Sequence, residues 1–263
     1  MSKRITFALG LCLAQLLFFL GNGLIMAQTE QTPLWNYETG NIVDSVAMSS
    51  DGSYVAAGSY DDKLYLFARG DNTPIWSYDA GGWVVSVAIS SDGSYIAAGS
   101  SGLDDKLYLF ARADNTPLWT WQSEEDVYPV ALSTDGNYVV AGGGPWNQKK
   151  IYLFARGDNT PIWSYETGGQ INSLAISSDG SYIVAGTGFW DLAETGDNKV
   201  YLFARASSSP IWSYQSKAPV LKVAISSTGD YIAAICGGES SDCLLYTSDA
   251  ADEGLGVDLG GRR

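Results

Sequence analysis

The chain has 263 residues, with 29 acidic and 15 basic side chains and no histidine, so its formal net charge at pH 7 is −14. Without histidine, a Ser-His-Asp triad, a Cys-His pair and a histidine-liganded zinc site are excluded, because each needs an imidazole. The excess of acidic side chains repels a phosphate backbone and so disfavours nucleic acid as a partner. Such an excess is typical of a solvated acidic surface.

Residues 1–27 have the pattern of a targeting segment. Lys3 and Arg4 form a short basic start, the stretch from Ile5 to Ala27 is mostly apolar, and a polar run follows Ala27. This order predicts a secretory signal that is cut near Ala27. The length of the apolar run leaves an uncleaved single-helix membrane anchor as the alternative. Either way, we expect the rest of the chain to lie outside the cytoplasm, secreted or anchored by this segment.

A tryptophan-centred motif recurs five times in the chain, as TPLWNY, TPIWSY, TPLWTW, TPIWSY and SPIWSY. The spacings of its tryptophans are 41, 43, 44 and 49 residues, and these tryptophans are Trp35, Trp76, Trp119, Trp163 and Trp212. A period in the low forties with about four short strands per unit is typical of propeller blades. The 30 glycines and the 13 % aromatic content also indicate an all-β protein.

Each unit contains four predicted strands, which we call a, b, c and d in chain order. In the second unit they read VVSVAIS, YIAAGS, KLYLFAR and PLWTW. Asp92 and Gly93 between strands a and b predict a tight hairpin, because glycine readily adopts a positive φ. A proline opens most of the d strands, which predicts an outer strand, because proline cannot donate to a ladder. Strands a and c are apolar on both faces, as expected for sheets packed face to face.

The stretch SVAMSSDGSYVAAGSYDDKLYLFAR, residues 45–69, resembles the WD40 repeat family in its a–b hairpin, its Asp-Gly turn and its apolar strand c. The family's Gly-His pair is absent, and strand c ends in LFAR where that family usually has Trp-Asp. The PIWSY strand is more similar to the quinoprotein-type propellers. The resemblance covers about residues 32–242. It implies a WD40-like/PQQ-like β-propeller of four-stranded blades, repeating every 41–49 residues, within residues 28–242.

The repeat breaks off in the fifth unit, where CLLYTSDAADEGLGVDLGGRR follows Asp242. This string resembles the translation of a transposase-type sequencing adapter, so we expect residues 243–263 to be adapter-derived and the native protein to continue. The propeller would then be C-terminally truncated, with four full blades, part of a fifth and a lone strand d at residues 33–37 that has no partner. The alternative is that CLLYTS forms a degenerate strand c, although nothing after it has the pattern of a strand d.

Comparison of the repeats with one another shows where the sequence varies. The a–b and c–d turns barely change, whereas the entry to strand a and the b–c loop differ from unit to unit. In a four-stranded blade these two loops emerge on one face, which we call the d–a/b–c face. Varied loops on a rigid repeating scaffold are where binding sites tend to be placed.

Aromatic side chains with a few hydrogen-bonding groups on this face suit a peptide or a sugar. Asp44, at the start of strand a in the first unit, is an acidic residue near these aromatic side chains. The alternative is that the aromatic rings pack over the tops of the blades. The candidate binding residues are Tyr60, Trp83, Asp126, Tyr128, Trp146, Gln170, Asn172, Phe189, Trp190 and Asp191.

These patterns favour an exported, non-catalytic scaffold that binds a protein, peptide or glycan at the cell surface, with no cofactor and no metal. Two alternatives stay open: a PQQ-dependent dehydrogenase, for which the sequence has no clear docking motif, and the sensor domain of a longer membrane receptor. The recurring motif tryptophans are predicted to be core residues. The repeated DDK string before strand c is predicted to be solvated charge.

Overall fold

The computed structural model describes residues 4–7, 32–143, 149–189, 196–237, 243–247 and 257–258. Trp146, Trp190, Asp191 and most of the segment 1–27 lie outside these described residues. The described chain consists of strands joined by turns and loops. None of its elements is a helix long and apolar enough to cross a bilayer.

Five four-stranded antiparallel sheets follow one another along the chain, and each has its strands in the spatial order a, b, c, d. Blades 1 and 2 consist of β3 (Val43–Met48), β4 (Tyr54–Ser59), β5 (Lys63–Ala68) and β6 (Pro74–Asp79), then β7 (Trp83–Ile89), β8 (Tyr95–Ser101), β9 (Lys106–Ala111) and β10 (Pro117–Gln122). Blades 3 and 4 consist of β11 (Val127–Leu132), β12 (Tyr138–Gly143), β13 (Lys150–Ala155) and β14 (Pro161–Glu166), then β15 (Ile171–Ile176), β16 (Tyr182–Thr187), β17 (Lys199–Ala204) and β18 (Pro210–Gln215). Blade 5 consists of β19 (Val220–Ile225), β20 (Tyr231–Cys236), β21 (Cys243–Thr247) and β22 (Val257–Asp258).

This architecture confirms the predicted all-β propeller of four-stranded blades. The a strands of consecutive blades contact one another, so they form the inner layer of the fold. The d strands lie at the other end of each sheet, and β6, β10, β14 and β18 each begin at the proline that predicted an outer strand.

The two ends of the repeat differ from the sequence expectation. The strand near residues 33–37, β2 (Trp35–Glu38), was expected to lack a partner, but it pairs with β1 (Arg4–Phe7). β21 (Cys243–Thr247), within the CLLYTS string, forms strand c of blade 5, and Val257–Asp258 pairs with it as a two-residue strand d, where the sequence predicted none. Backbone groups pair without regard to side-chain pattern, so an open sheet edge accepts an extended segment that lacks the motif. The adapter origin of residues 243–263 stays a prediction.

The motif tryptophans pack between blades rather than within one. Trp76 on strand d of blade 1 lies against Phe110 on strand c of blade 2, with ring centroids 5.5 Å apart. Its Nε1–H donates a hydrogen bond to the carbonyl oxygen of Arg112 at 2.8 Å. Trp35, Trp119 and Trp163 make the same pair of contacts with the blade that follows each of them. In blade 5, Tyr246 takes the position of the phenylalanine.

A second link between blades runs through the a–b turns. The backbone N–H of Ser50 donates to the carbonyl oxygen of Ser91 at 2.9 Å, and Ser91 donates in turn to Thr134 at 2.9 Å. The same bond joins Thr134 to Ser178 and Ser178 to Ser227. The invariance of these turns is therefore structural, because each turn is a joint to the next blade.

Candidate functional site

Strand a of every blade contains a β-bulge near its start. The register with strand b shifts at this point in all five sheets. A bulge leaves one or more residues out of the ladder and re-aims their side chains. The bulged residues are Asp44, Val85, Tyr128 with Pro129, Asn172 and Leu221.

A serine after the bulge holds this geometry. The Oγ of Ser45 accepts a hydrogen bond from the backbone N–H of Val87 in the next blade at 3.0 Å. Ser86 makes the same bond to Val130 at 3.1 Å, and Ser173 makes it to Val223 at 3.2 Å. The bulge is thus fixed by a contact between blades that does not involve the bulged side chain. The bulged side chain can therefore differ from blade to blade while the backbone and its hydrogen bonds stay the same.

The bulged residues line a cavity of about 380 Å³ between the a strands. Asp44, Val85, Tyr128 and Asn172 reach it from blades 1 to 4, and Lys222, one residue after the last bulge, reaches it from blade 5. All five blades therefore contribute to one concave site. Its lining contains one carboxylate, one amine and several polar groups.

An aromatic cluster from three blades adjoins this cavity, with Tyr128 in the lining and Tyr60 hydrogen-bonded to Asp44. Tyr60, on the b–c loop of blade 1, stacks on Trp83 at the start of blade 2, with ring centroids 4.9 Å apart and planes 16° from parallel. Tyr128 of blade 3 lies close enough to influence the ionisation of Tyr60. Trp83 is 49 % exposed and Tyr128 is 36 % exposed, so both present ring surface to solvent. Three of the sequence-predicted site residues are thereby brought together.

Burial and a shared carboxylate govern the ionisation of this cluster. Burial raises the pKa of Asp44, and a hydrogen bond with the Tyr60 hydroxyl partly offsets this. The pKa of Tyr60 is raised to about 12 by burial and by the neighbouring Asp44 charge and Tyr128. Burial also raises the pKa of Tyr128, as do the charges of Asp44 and Asp126. Both tyrosines therefore remain protonated at neutral pH and can donate hydrogen bonds beside the carboxylate.

Asp126 organises the b–c loop of blade 2. Its Oδ1 accepts a hydrogen bond from the backbone N–H of Gly102 at 2.9 Å. It also lies beside Asp105, whose pKa is raised to about 6 by burial, by a hydrogen bond with Asp126 and by repulsion from Asp126, Asp104 and Glu125. Asp126 thus shapes the surface next to Tyr128 rather than lining the cavity itself.

The remaining described candidates hold blades 4 and 5 in place. The side-chain amide of Asn172 donates to the carbonyl oxygens of Gly188 and Val220, each at 3.0 Å, while the residue also lines the cavity. The backbone carbonyl of Gln170 accepts a hydrogen bond from the N–H of Gly188 at 3.0 Å. Phe189 packs with the Lys149 ammonium 5.1 Å from its ring centroid. These contacts favour a packing role for Phe189.

The prediction that the DDK string is solvated charge is wrong for its first aspartate. Asp61 accepts hydrogen bonds from the Tyr65 hydroxyl at 2.7 Å and from the backbone N–H of Gly40 at 2.8 Å. Asp104 and Asp197 likewise accept a bond from the tyrosine four residues later. The recurring spacing of aspartate and tyrosine was the signal for these pairs. Lys222 was also missed, because only the position of the bulge reveals that it faces the cavity.

Two family models match different parts of the chain. The model described as "Outer membrane protein assembly factor BamB" matches residues 22–145, and the one described as "WD domain, G-beta repeat" matches residues 159–203. None of the curated proteins matches this chain.

The solved structures include a similar chain in one named "Crystal Structure of Mitotic Checkpoint Complex". It is 21 % identical, with a TM-score of 0.63 over 78 % of this chain, and this chain spans 65 % of it, just under two thirds. At that identity the likeness shows the fold alone. The repeats and the five sheets show a β-propeller, and the two family models identify its repeats as WD40-like and PQQ-like over residues 22–145 and 159–203.

Proposed function

We propose that this propeller is an exported, non-catalytic scaffold that holds a protein, peptide or glycan on its d–a/b–c face, at the cavity between the a strands. One observation carries the proposal. The fold of the blades repeats, yet the bulged residues that differ between repeats line one cavity, where Asp44, Tyr128 and Asn172 come together and the Tyr60 hydroxyl bonds Asp44. Varied side chains on a constant frame are expected where a scaffold recognises a ligand.

The comparisons support a protein as the partner. One matching family model is described as an assembly factor for outer membrane proteins, and the similar solved chain comes from a structure named as a complex. The first description also supports a location outside the cytoplasm, as the pattern of residues 1–27 does. The same face would bind the ligand if the propeller were the sensor domain of a longer receptor.

The cavity does not fit a quinone cofactor of the PQQ type. Such a cofactor carries several carboxylates and calls for cationic partners. Among the described residues of the cavity lining, Lys222 is the one basic side chain, and Asp44 would repel an anion. Within the described ranges, no three His, Cys, Asp or Glu side chains are grouped so that they could hold a metal ion.

Peptide and glycan arrays test the proposal directly. Tyr60→Ala and Trp83→Ala should each lower the affinity for any array ligand by about tenfold or more, because the two stacked rings form part of the site. Ile162→Ala is the matched control, because Ile162 is 48 % exposed on an outer strand, away from the cavity. It should bind like the unchanged protein. Ligands that bind all the variants equally would show that this face is not the binding surface.

A further inference from the structure

We propose that the cavity recognises a cationic side chain, arginine or lysine, of a bound peptide. This inference rests on the proposed function and names the ligand chemistry of the same site. Three observations carry it: a carboxylate in the cavity lining, the aromatic rings near it and the distribution of charge along the cavity.

The carboxylate of Asp44 is the first observation. It lies in the cavity lining and is exposed to solvent, with the Tyr60 hydroxyl hydrogen-bonded to it and Tyr128 near it. The single ion pair within the described residues joins Lys106 to Asp104 at 2.7 Å, so none of the described cations neutralises Asp44 at contact distance. A carboxylate in a concave site that has a hydroxyl partner but no counter-ion in contact attracts a cation brought by a ligand.

The aromatic rings are the second observation. The ring of Tyr60, whose hydroxyl bonds Asp44, stacks on the indole of Trp83, and Tyr128, which is 36 % exposed, adds a third ring in the cavity lining. Ring faces attract organic cations, indole most strongly. A planar guanidinium can stack on such a ring and still donate hydrogen bonds to a carboxylate. A carboxylate and three rings therefore suit arginine better than they suit a neutral sugar.

The distribution of charge is the third observation. Asp126 lies near Tyr128, with Asp105 and Glu125 beside it, so the side of blades 2 and 3 is acidic. The opposing charge is Lys222, which reaches the cavity from blade 5 and is exposed. The cavity is thus dipolar, and a cation would be held at the Asp44 side. Lys222 would repel a cationic ligand, so its removal should have the opposite effect on binding to the removal of Asp44.

The test compares two small probes, Nα-acetyl-arginine amide and its neutral isostere Nα-acetyl-citrulline amide, followed by the chemical shift of the Trp83 indole N–H. The arginine probe should bind about tenfold more tightly, which corresponds to one charge-assisted contact. Asp44→Asn should abolish the preference, and Lys222→Gln should strengthen arginine binding. Added salt should weaken binding to the unchanged protein. Equal urea midpoints would establish that the variants remain folded.

The outcomes separate this inference from the proposed function. If citrulline binds as well as arginine, or if array ligands depend on Trp83 while neither probe binds, cation recognition is wrong and the binding face stands. If Asp44→Asn strengthens binding and Lys222→Gln weakens it, the cavity takes an anion and the inference is overturned. If neither probe binds and no array ligand depends on Trp83, both proposals fail.

Discussion

Substitution of Trp163 measures how strongly one blade is tied to the next. Trp163 is 9 % exposed, its ring lies 5.5 Å from that of Phe203 in the following blade, and its Nε1–H donates to the carbonyl oxygen of Arg205 at 2.8 Å. Truncation of a buried tryptophan to alanine costs about 3–5 kcal/mol. Trp163→Phe keeps a ring pair but loses the hydrogen bond, worth about 1 kcal/mol, and part of the buried area. We therefore expect Trp163→Phe to lower the free energy of unfolding by about 1–2 kcal/mol.

Urea unfolding followed by circular dichroism gives these differences. The matched control is Ile162→Ala, because Ile162 is adjacent in sequence and 48 % exposed, so its truncation should cost less than about 1 kcal/mol. Equal losses for Trp163→Ala and Ile162→Ala would refute the view that tryptophan joins the blades. A loss for Trp163→Phe as large as that for Trp163→Ala would refute the division between ring packing and hydrogen bonding.

Three further predictions concern acid stability, blade spacing and the cavity. Hydrogen bonds from the a–b turn lower the pKa of Asp92 to about 2, so the ionised carboxylate stabilises the fold above the unfolded pKa of about 3.9, and this stabilisation is lost as pH falls towards 2. In Asp92→Asn the urea midpoint should therefore fall less steeply with pH over that range, and an unchanged dependence on pH would contradict this. A Cβ at Gly99 would lie 2.4 Å from a carbonyl oxygen of the next blade, whereas a Cβ at Gly70 would meet open space. Gly99→Ala should lower the free energy of unfolding by about 1–3 kcal/mol and the control Gly70→Ala should not lower it, so equal urea midpoints would contradict the close approach of the blades. Tyr60→Phe removes the hydroxyl that lowers the pKa of Asp44. The pKa of Asp44, followed by NMR of its carboxyl carbon, should therefore rise further, and a fall would contradict the hydrogen bond between Tyr60 and Asp44.

The repeat made the architecture predictable from sequence. Its period, its Asp-Gly turns and the prolines that open strand d each reflect local backbone chemistry that one unit already shows. Gly93, for example, has a φ of 69° in the predicted turn. The ends of the repeat were harder to predict, because pairing of β2 and of β22 requires only an available strand edge and an extended segment.

The site was predictable only in outline. Variation between the repeats pointed to Tyr60, Trp83 and Tyr128, which the structure brings together. The bulges were not foreseen, because the serine bond that fixes them joins residues such as Ser45 and Val87, which are 42 positions apart. A varied residue followed by a recurrent serine is, in retrospect, the local signature of the bulges in blades 1, 2 and 4.

The joint between blades has a consequence for how such a protein changes in evolution. Each tryptophan of strand d meets the same kind of surface in the following unit, as the pairs Trp35–Phe67, Trp76–Phe110, Trp119–Phe154 and Trp163–Phe203 show. A recombination event that removed one whole period would let Trp35 meet Phe110 in place of Phe67, and no new interface would have to arise. Duplication or deletion of whole units can therefore lengthen or shorten the array without a new kind of interface, whereas point substitutions at single bulged positions change only the lining of the cavity.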